Sequence, residues 1–282
     1  MLFSPNCSRI NNMATIISWT DETWNPITGC SKISDGCRNC YAERISLKFK
    51  RSLYPWTANH AGENVICHPE RLDFPWRLKK PSRIFTNSMS DMFHANVPDE
   101  FLHRVFDAME ATPQHVFQCL TKRPERAATW PHWPANVWMG TSIEDQRVAH
   151  RVAALRECGA ATKFISAEPL IGSLDIDLAG IDWIIVGGES GPGYRPMEME
   201  WARRLRDIAV GAGSAYFFKQ DAAFRTEVRP WLVEEDGTAW EWHQYPGSLL
   251  PPVQVLGQRV HIDLTRQQPS LDLIQFQNTF AR

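Results

Sequence analysis

Trp183-Ile-Ile-Val-Gly-Gly-Glu-Ser190 is an apolar run that stops abruptly at two glycines and a carboxylate. Short continuous apolar runs bounded by turn residues read as strands buried on both faces, the condition of strands in a parallel sheet. The same form recurs at Arg83–Asn87, His115–Leu120, Asn136–Gly140, Lys163–Ser166 and Ala215–Phe218. Helical stripes lie between these runs: Phe101, Leu102, Val105, Phe106 and Met109 after a Pro98-Asp99 start, then Val148, Val152 and Leu155, then Trp201, Leu205 and Ile208. Pro169 to Gly180 is too short and too Gly-rich for a long helix, so that crossover is expected to be a loop or short turn. A strand over Thr15–Ser18 and a helix over Tyr41–Lys50 would complete seven units. Strands alternating with one-sided helices predict an α/β protein. No Gly-x-Gly-x-x-Gly turn follows an early strand, so a partial or complete (β/α) TIM-like barrel is expected rather than a doubly wound sheet.

Outward from that core, residues 1–12 are expected to be a disordered extension or an upstream start, because a better-patterned stretch begins at Met13. Residues 13–224 would form the barrel, with an irregular insertion over 52–82. Residues 225–282 would form an irregular C-terminal extension, in which Val253–Leu264 alternates enough for a small β element. Of the 282 residues, 43% are hydrophobic and 22% charged, the balance of an ordinary globular protein. No apolar run reaches the length of a membrane span and Met1–Asn12 lacks a secretory apolar stretch, so a cytoplasmic protein without membrane partners is expected. Seven cysteines, an odd number scattered over a long chain, fit reducing conditions better than a disulfide framework. The net charge of −2 gives no global attraction to phosphate backbones, so nucleic-acid contact would require a local basic patch.

Three of the cysteines, Cys30, Cys37 and Cys40, fall in one short segment, and no fourth cysteine or histidine is near in sequence. A structural zinc site closes with four protein ligands, whereas a four-iron cluster on three thiolates keeps one iron open for a substrate or cofactor. The spacing favours chemistry. Barrel chemistry gathers where strands end, and those ends are polar here: Asn87 to Asp91 with Ser88 and Ser90, Lys122 with Arg123, Ser142 with Glu144, Glu168, Gly187-Gly188-Glu189, and Lys219-Gln220. Any one of them could be a helix cap or a solvated loop residue. Their recurrence at nearly every strand end is harder to assign to capping and suits a site for a zwitterionic or polyhydroxylated ligand.

Together these blocks resemble a known family. The run Trp19-Thr-Asp-Glu-Thr-Trp-Asn-Pro-Ile-Thr-Gly-Cys30, the Cys-x6-Cys-x2-Cys-Tyr-Ala spacing, Asn87-Ser-Met-Ser-Asp-Met-Phe-His94, Leu120-Thr-Lys-Arg-Pro124, Ser142-Ile-Glu-Asp-Gln146, Glu168-Pro-Leu170 and Gly187-Gly-Glu-Ser-Gly191 are similar to a radical-SAM-like family of phages and bacteria, related in architecture to spore photoproduct lyase. The resemblance covers about residues 13 to 221. It implies a radical-SAM-type barrel carrying a [4Fe-4S] cluster on Cys30, Cys37 and Cys40, with S-adenosylmethionine on the open iron. It also implies reductive cleavage to a 5'-deoxyadenosyl radical that abstracts hydrogen from a substrate, and an electron donor such as a flavodoxin or ferredoxin. By position, Ser88, Ser90 and Asp91 would hold the methionyl amino group, Ser142 and Glu144 the ribose, and Lys122 or Arg123 the carboxylate. Glu168 and Glu189 could serve cofactor or substrate, and Gly187 and Gly188 would let backbone approach the ligand. Two departures stand out: such enzymes usually space their cysteines three and two apart with an aromatic before the last, whereas here the first gap is six and Asn39 precedes Cys40.

The substrate is open, with nucleic acid one candidate by analogy. Two other readings stand beside this one: a zinc-binding structural or nucleic-acid-binding protein in which Cys67 or His68 closes the site, and a barrel hydrolase whose carboxylates hold metal.

Overall fold

The structure is a computed structural model and describes residues 15–255. The expected extension over residues 1–12, and the part of the Val253–Leu264 element beyond residue 255, lie outside the described residues. Seven strands form one sheet: β1 (Glu22–Trp24), β2 (Arg83–Thr86), β3 (Val116–Thr121), β4 (Val137–Ser142), β5 (Thr162–Ala167), β6 (Trp183–Gly187) and β7 (Ala215–Gln220). Every neighbouring pair is parallel, and spatial order equals chain order from β1 to β7. Such an order has no reversal and hence no topological switch point, which separates it from a doubly wound sheet. Crossovers of one hand that always step in one direction put their helices on one face of the sheet. The other face must then cover itself by curling.

The side chains show that curl. Alternate strand residues Ile84, Phe117, Met139, Ile165, Ile184 and Phe218 join a large core with the helices. These helices are α2 (Asp99–Glu110), α3 (Pro124–Ala128), α4 (Arg151–Glu157) and α5 (Met199–Ala212), while α1 (Tyr41–Lys48) follows the cysteine loop outside that cluster. The opposite parity supplies Phe85, Phe164, Trp183, Ile185, Ala215 and Phe217, which pack with Trp19 as a second cluster. In a flat sheet β2 and β7 would lie about 24 Å apart, five strand spacings. Yet Tyr245 packs its ring 5.6 Å from Phe217 of β7 while the Arg83 guanidinium of β2 sits 4.2 Å over the same ring. The sheet is a half-barrel with an aromatic interior. Gly140 of β4 makes room for it, since a Cβ there would overlap the Phe164 ring.

The expected strand at Thr15–Ser18 is not one: that stretch turns, and the first strand is Glu22–Trp24. The cause is Trp19, which is buried against Phe85 at 4.6 Å and Trp183 at 6.2 Å, so the chain bends there to deliver the indole inward. The Pro169–Gly180 crossover carries no helix, as its composition predicts. Beyond β7, the pairs Leu232–Val233, Ala239–Glu241 and Val253–Gln254 form a small antiparallel sheet, and a bridge from His243 to Phe217 fixes this extension to the end of the half-barrel. Among the described residues no helix is long and apolar enough to cross a membrane.

Candidate functional site

Following the inward parity to the end of each strand or just past it brings Asn87, Lys122, Ser142, Glu168, Gly187 and Lys219 to the C-terminal end of the half-barrel. The loop from Cys30 to Cys40 lies across that end, and carboxylates of the strand ends hold it. Glu144 Oε1 accepts from the Gly36 N–H at 3.0 Å, at the short 3-10 turn Asp35–Cys37. Its Oε2 accepts from Arg151 Nη1 at 3.1 Å. Glu189 Oε2 accepts from Asn39 Nδ2 at 3.0 Å, and Arg195 pairs with the same carboxylate. Burial pushes the Glu189 carboxyl up, and the Arg195 and Asn39 hydrogen bonds outweigh it, holding the group below its usual range. The six-residue gap and the asparagine before Cys40 thus have a structural role: the longer loop reaches Glu144 and Glu189 through Gly36 and Asn39.

The third tether runs through Asp91 and Arg123. The Asp91 carboxylate accepts from Thr121 Oγ1 at 2.5 Å, Arg123 Nη1 at 2.8 Å, and the backbone N–H groups of Phe93 and Lys122 at 3.1 Å each. Arg123 Nη2 donates to the Ser31 carbonyl at 2.9 Å, and Nη1 reaches Cys30 Sγ at 3.6 Å. The cysteines themselves are half-buried. Burial pushes the Cys30 thiol up to about 12, with Asp91 adding to the effect, and burial likewise raises Cys40; Cys37 adds a smaller upward push to each. Among the described residues no group of three or more His, Cys, Asp or Glu side chains converges closely enough to hold a single metal ion.

The remaining sequence-predicted residues fall into two groups. Ser88 exchanges hydrogen bonds with the Asn25 amide, and Ser90 donates to the Ile27 carbonyl at 2.9 Å, so both hydroxyls brace the turn after β2. Asp91 and Arg123 are engaged as above. Glu168 accepts from Ser166 Oγ at 3.1 Å and pairs with Lys219 Nζ at 2.9 Å. Burial draws the Lys219 ammonium down, but Glu168 beside it leaves the group raised. Gly187 faces Glu168, and a Cβ on Gly188 would overlap the backbone of Ala222. Ser142 is buried, its carbonyl taken by Arg151. Lys122 is half-buried, close enough to Cys40 to act on it, and makes no ion pair among the described residues. A cleft of about 460 Å³ opens beside the loop, between residues 32–35 and Glu144, Asp145, Arg147 and Val148.

Sequence reasoning placed Asn87 among the polar strand ends but gave it no role in holding a ligand. Its side chain is buried, neither amide atom has a partner, and its backbone is in the left-handed region at φ 68°. A buried amide without partners is costly, so this one is available to a bound polar group. Its signal was present in sequence, since asparagine tolerates the left-handed conformation better than most residues and sits where an apolar strand stops. Tyr41 was missed; its hydroxyl donates to the Ser88 carbonyl at 2.7 Å and it lies near Glu168.

Beneath this site His94 ties the Ser31 hydroxyl to the turn. The Asn96 N–H donates to Nδ1 at 3.1 Å, so Nε2 carries the ring proton and donates to Ser31 Oγ at 2.8 Å. Burial depresses its pKa to about 4, Arg123 and Arg126 adding to this and Asp91 opposing it. The neutral ring therefore stabilises the fold fully above the unfolded value near 6.5, and that stability is lost as pH falls towards 4. The expected size is on the order of 2 to 3 kcal/mol. Urea denaturation between pH 7 and pH 4 should show it, and His94→Gln should flatten that part of the profile; an unchanged slope would remove the assignment.

Comparison with known proteins gives one match. The model of a family described as "Protein of unknown function (DUF5131)" matches residues 14–253. No curated protein and no solved structure matches the chain.

Proposed function

The chain belongs to the DUF5131 family, and from its own residues we propose that it is a radical S-adenosylmethionine enzyme of the TIM-like barrel type, with a [4Fe-4S] cluster on Cys30, Cys37 and Cys40. The observation that carries this reading is the position of the three thiols, on one tethered loop across the C-terminal end of a half-barrel whose strand order is sequential. When bound, such a cluster supplies an electron to the sulfonium of S-adenosylmethionine, whose adenosyl fragment then takes a hydrogen atom from a substrate.

The donor set fits. One zinc ion would need its sulfurs about 2.3 Å from a common point, and the cysteines do not converge that far. A cube would distribute three thiolates over three irons rather than on one point. Of the two groups expected to close a zinc site, His68 is engaged by Thr28 and Glu70, while Cys67 is a free thiol on the short strand that pairs with Ile27. Arg123 Nη1 directs a hydrogen bond at Cys30 Sγ, a contact of the kind that tunes cluster potential.

Of the two cations considered for the methionyl carboxylate, Arg123 is engaged by Asp91, Ser31 and Cys30, which leaves Lys122 as the one to receive it. The unpartnered Asn87 amide offers a donor and an acceptor at the same end of the sheet. The aromatic cluster of Trp19, Trp183 and Phe217 is buried beneath these strand ends and would keep water from that side of the ligand. Asp91, Glu144 and Glu189 act on the loop as its anchors.

Anaerobic purification tests the proposal. The expected protein is brown, carries about four irons per chain, and releases 5'-deoxyadenosine from S-adenosylmethionine when reduced with dithionite. A colourless protein with one zinc per chain after anaerobic reconstitution would return the reading to the structural-zinc alternative.

A further inference from the structure

We infer that the strip running outward from the last cysteine, residues 41–54, binds single-stranded nucleic acid. Backbone phosphates would lie on Arg44, Lys48, Lys50 and Arg51, with a base against Phe49. This deepens the reading above by naming a substrate class, and rests on it for what happens at the mouth of the half-barrel.

The charge distribution carries the argument first. The chain as a whole is slightly acidic, at −2. Arg44, Lys48, Lys50 and Arg51 are exposed, and none makes an ion pair among the described residues. Neighbouring cations are matched, Lys32 with Glu43, Arg38 with Asp35 and Arg71 with Glu70. Glu43, the acid of α1, is buried and turned inward onto Lys32 and the Trp56 N–H, so it does not offset the strip. The result is a local basic patch on a protein without global attraction to phosphate.

Aromatic side chains are interleaved with those cations. Phe49 is 59% exposed and Tyr54 41%. Lys48 Nζ lies 5.5 Å and Arg51 Cζ 5.7 Å from the Phe49 ring centroid, so the ring is flanked by two cations. Single-stranded nucleic acid is held by this combination, a cationic track with exposed rings for bases.

The backbone adds a third observation. α1 ends in a Schellman arrangement: the Arg51 N–H donates to the Ser46 carbonyl at 2.7 Å and the Lys50 N–H to the Leu47 carbonyl at 3.1 Å. The residue at the left-handed position of that motif is normally glycine, and here it is Lys50 at φ 53°. A lysine at this position carries backbone strain that glycine would not, and it adds a cation to the strip.

The strip also leads to the site. Tyr41, Arg44 and Lys48 fall at i, i+3 and i+7, one face of α1 about 10 Å long. Tyr41 bonds the Ser88 carbonyl, and the Arg44 guanidinium fills the space beside Gly191, just after β6. A strand lying on the patch would therefore feed the end of the half-barrel that holds the cysteines. An anionic bilayer could be drawn by the same cations, but it would not need this continuity with the mouth.

The test uses the full chain and fluorescein-labelled oligo(dT) and oligo(rU) of about 16 nucleotides, read by anisotropy from about 50 to about 200 mM salt. Four phosphate contacts predict a log–log slope near −2.8, about −0.7 each. K48E/K50E/R51E should weaken binding at least about 100-fold and flatten the slope by about 2. F49A should weaken it roughly ten-fold. K50G separates binding from folding: it should raise Tm by about 2 °C while flattening the slope by about 0.7. The inference is overturned if neither oligonucleotide binds at low salt, if the triple variant binds like the parent, or if phosphatidylserine vesicles bind and the oligonucleotides do not. Iron content and 5'-deoxyadenosine yield from the same preparations keep the two readings apart. Iron without oligonucleotide binding removes the strip alone, and binding without iron removes the cluster alone.

Discussion

Cys37→Ala should give a folded, colourless protein that no longer assembles iron, while Cys119→Ala and Cys158→Ala keep the parent's content. The contrast follows from surroundings. Cys119 and Cys158 are buried in the helix-side core, their thiols pushed up by burial to about 12 and about 11, as befits inert packing groups. Truncating either removes one sulfur and costs roughly 1 kcal/mol or slightly more. Cys37 is half-buried, and among the described residues its Sγ has one hydrogen-bond partner, the Ser34 hydroxyl at 4.0 Å. Its loop is held from either side by Gly36 on Glu144 and Asn39 on Glu189, neither of which needs the thiol. The substitution therefore deletes a proposed cluster ligand without freeing the loop, and thermal stability of the metal-free protein should change by less than about 1 kcal/mol. Iron and sulfide analysis after anaerobic reconstitution, with circular dichroism of the same samples, reads both halves of the expectation. Undiminished iron in Cys37→Ala would remove the cysteine trio from the proposal.

The parts of this molecule that could be read from sequence are those whose physics is local. The run Trp183–Gly187 has no polar residue and no helical period, so its fate as a strand buried on both sides follows from its composition, and the element has those bounds. At Thr15–Ser18 the same reasoning failed, because the residue that decides the conformation is Trp19, whose partners Phe85 and Trp183 are distant in sequence. The gathering of polar residues at one end of the sheet was legible, since each strand end announces itself. What each residue touches was not. Glu144 meets Gly36 across 108 residues, and Asn39 meets Glu189 across 150. Lys122 and Arg123 looked equivalent as adjacent cations, but successive residues at a strand end point to opposite sides. Lys122 continues the inward parity of its strand, and Arg123 is drawn onto Asp91. The curl of the sheet is marked by Tyr245, whose contacts with β2 and β7 no local pattern could have revealed.

Asp91→Ala should be the most destabilising single change at the site, by about 3 to 5 kcal/mol, or roughly 10 °C in Tm. Four donors converge on this carboxylate, and its side chain is only 7% exposed. Its removal leaves the Arg123 guanidinium, 17% exposed, with no counter-charge, together with two backbone N–H groups and a hydroxyl without acceptors. Arg123→Ala should cost less, about 2 kcal/mol, because Asp91 keeps Thr121 and the N–H groups of Phe93 and Lys122. The two substitutions should also be non-additive, the double variant falling short of the sum by about 1 to 3 kcal/mol, since the second removes a partner already lost. Function should rank them the other way. Arg123 is the residue that touches Ser31 and Cys30, so Arg123→Ala slackens the first cysteine directly, and its cluster should be stripped by a chelator faster than that of the parent at equal folded fraction. Arg123→Lys would keep the charge beside Asp91 but lose the fork that spans carboxylate and loop, so it should recover stability more than cluster retention. Equal small losses for Asp91→Ala and Arg123→Ala, with unaltered chelator kinetics, would mean that Asp91 and Arg123 do not anchor the cysteine loop and that Glu144 and Glu189 hold it alone.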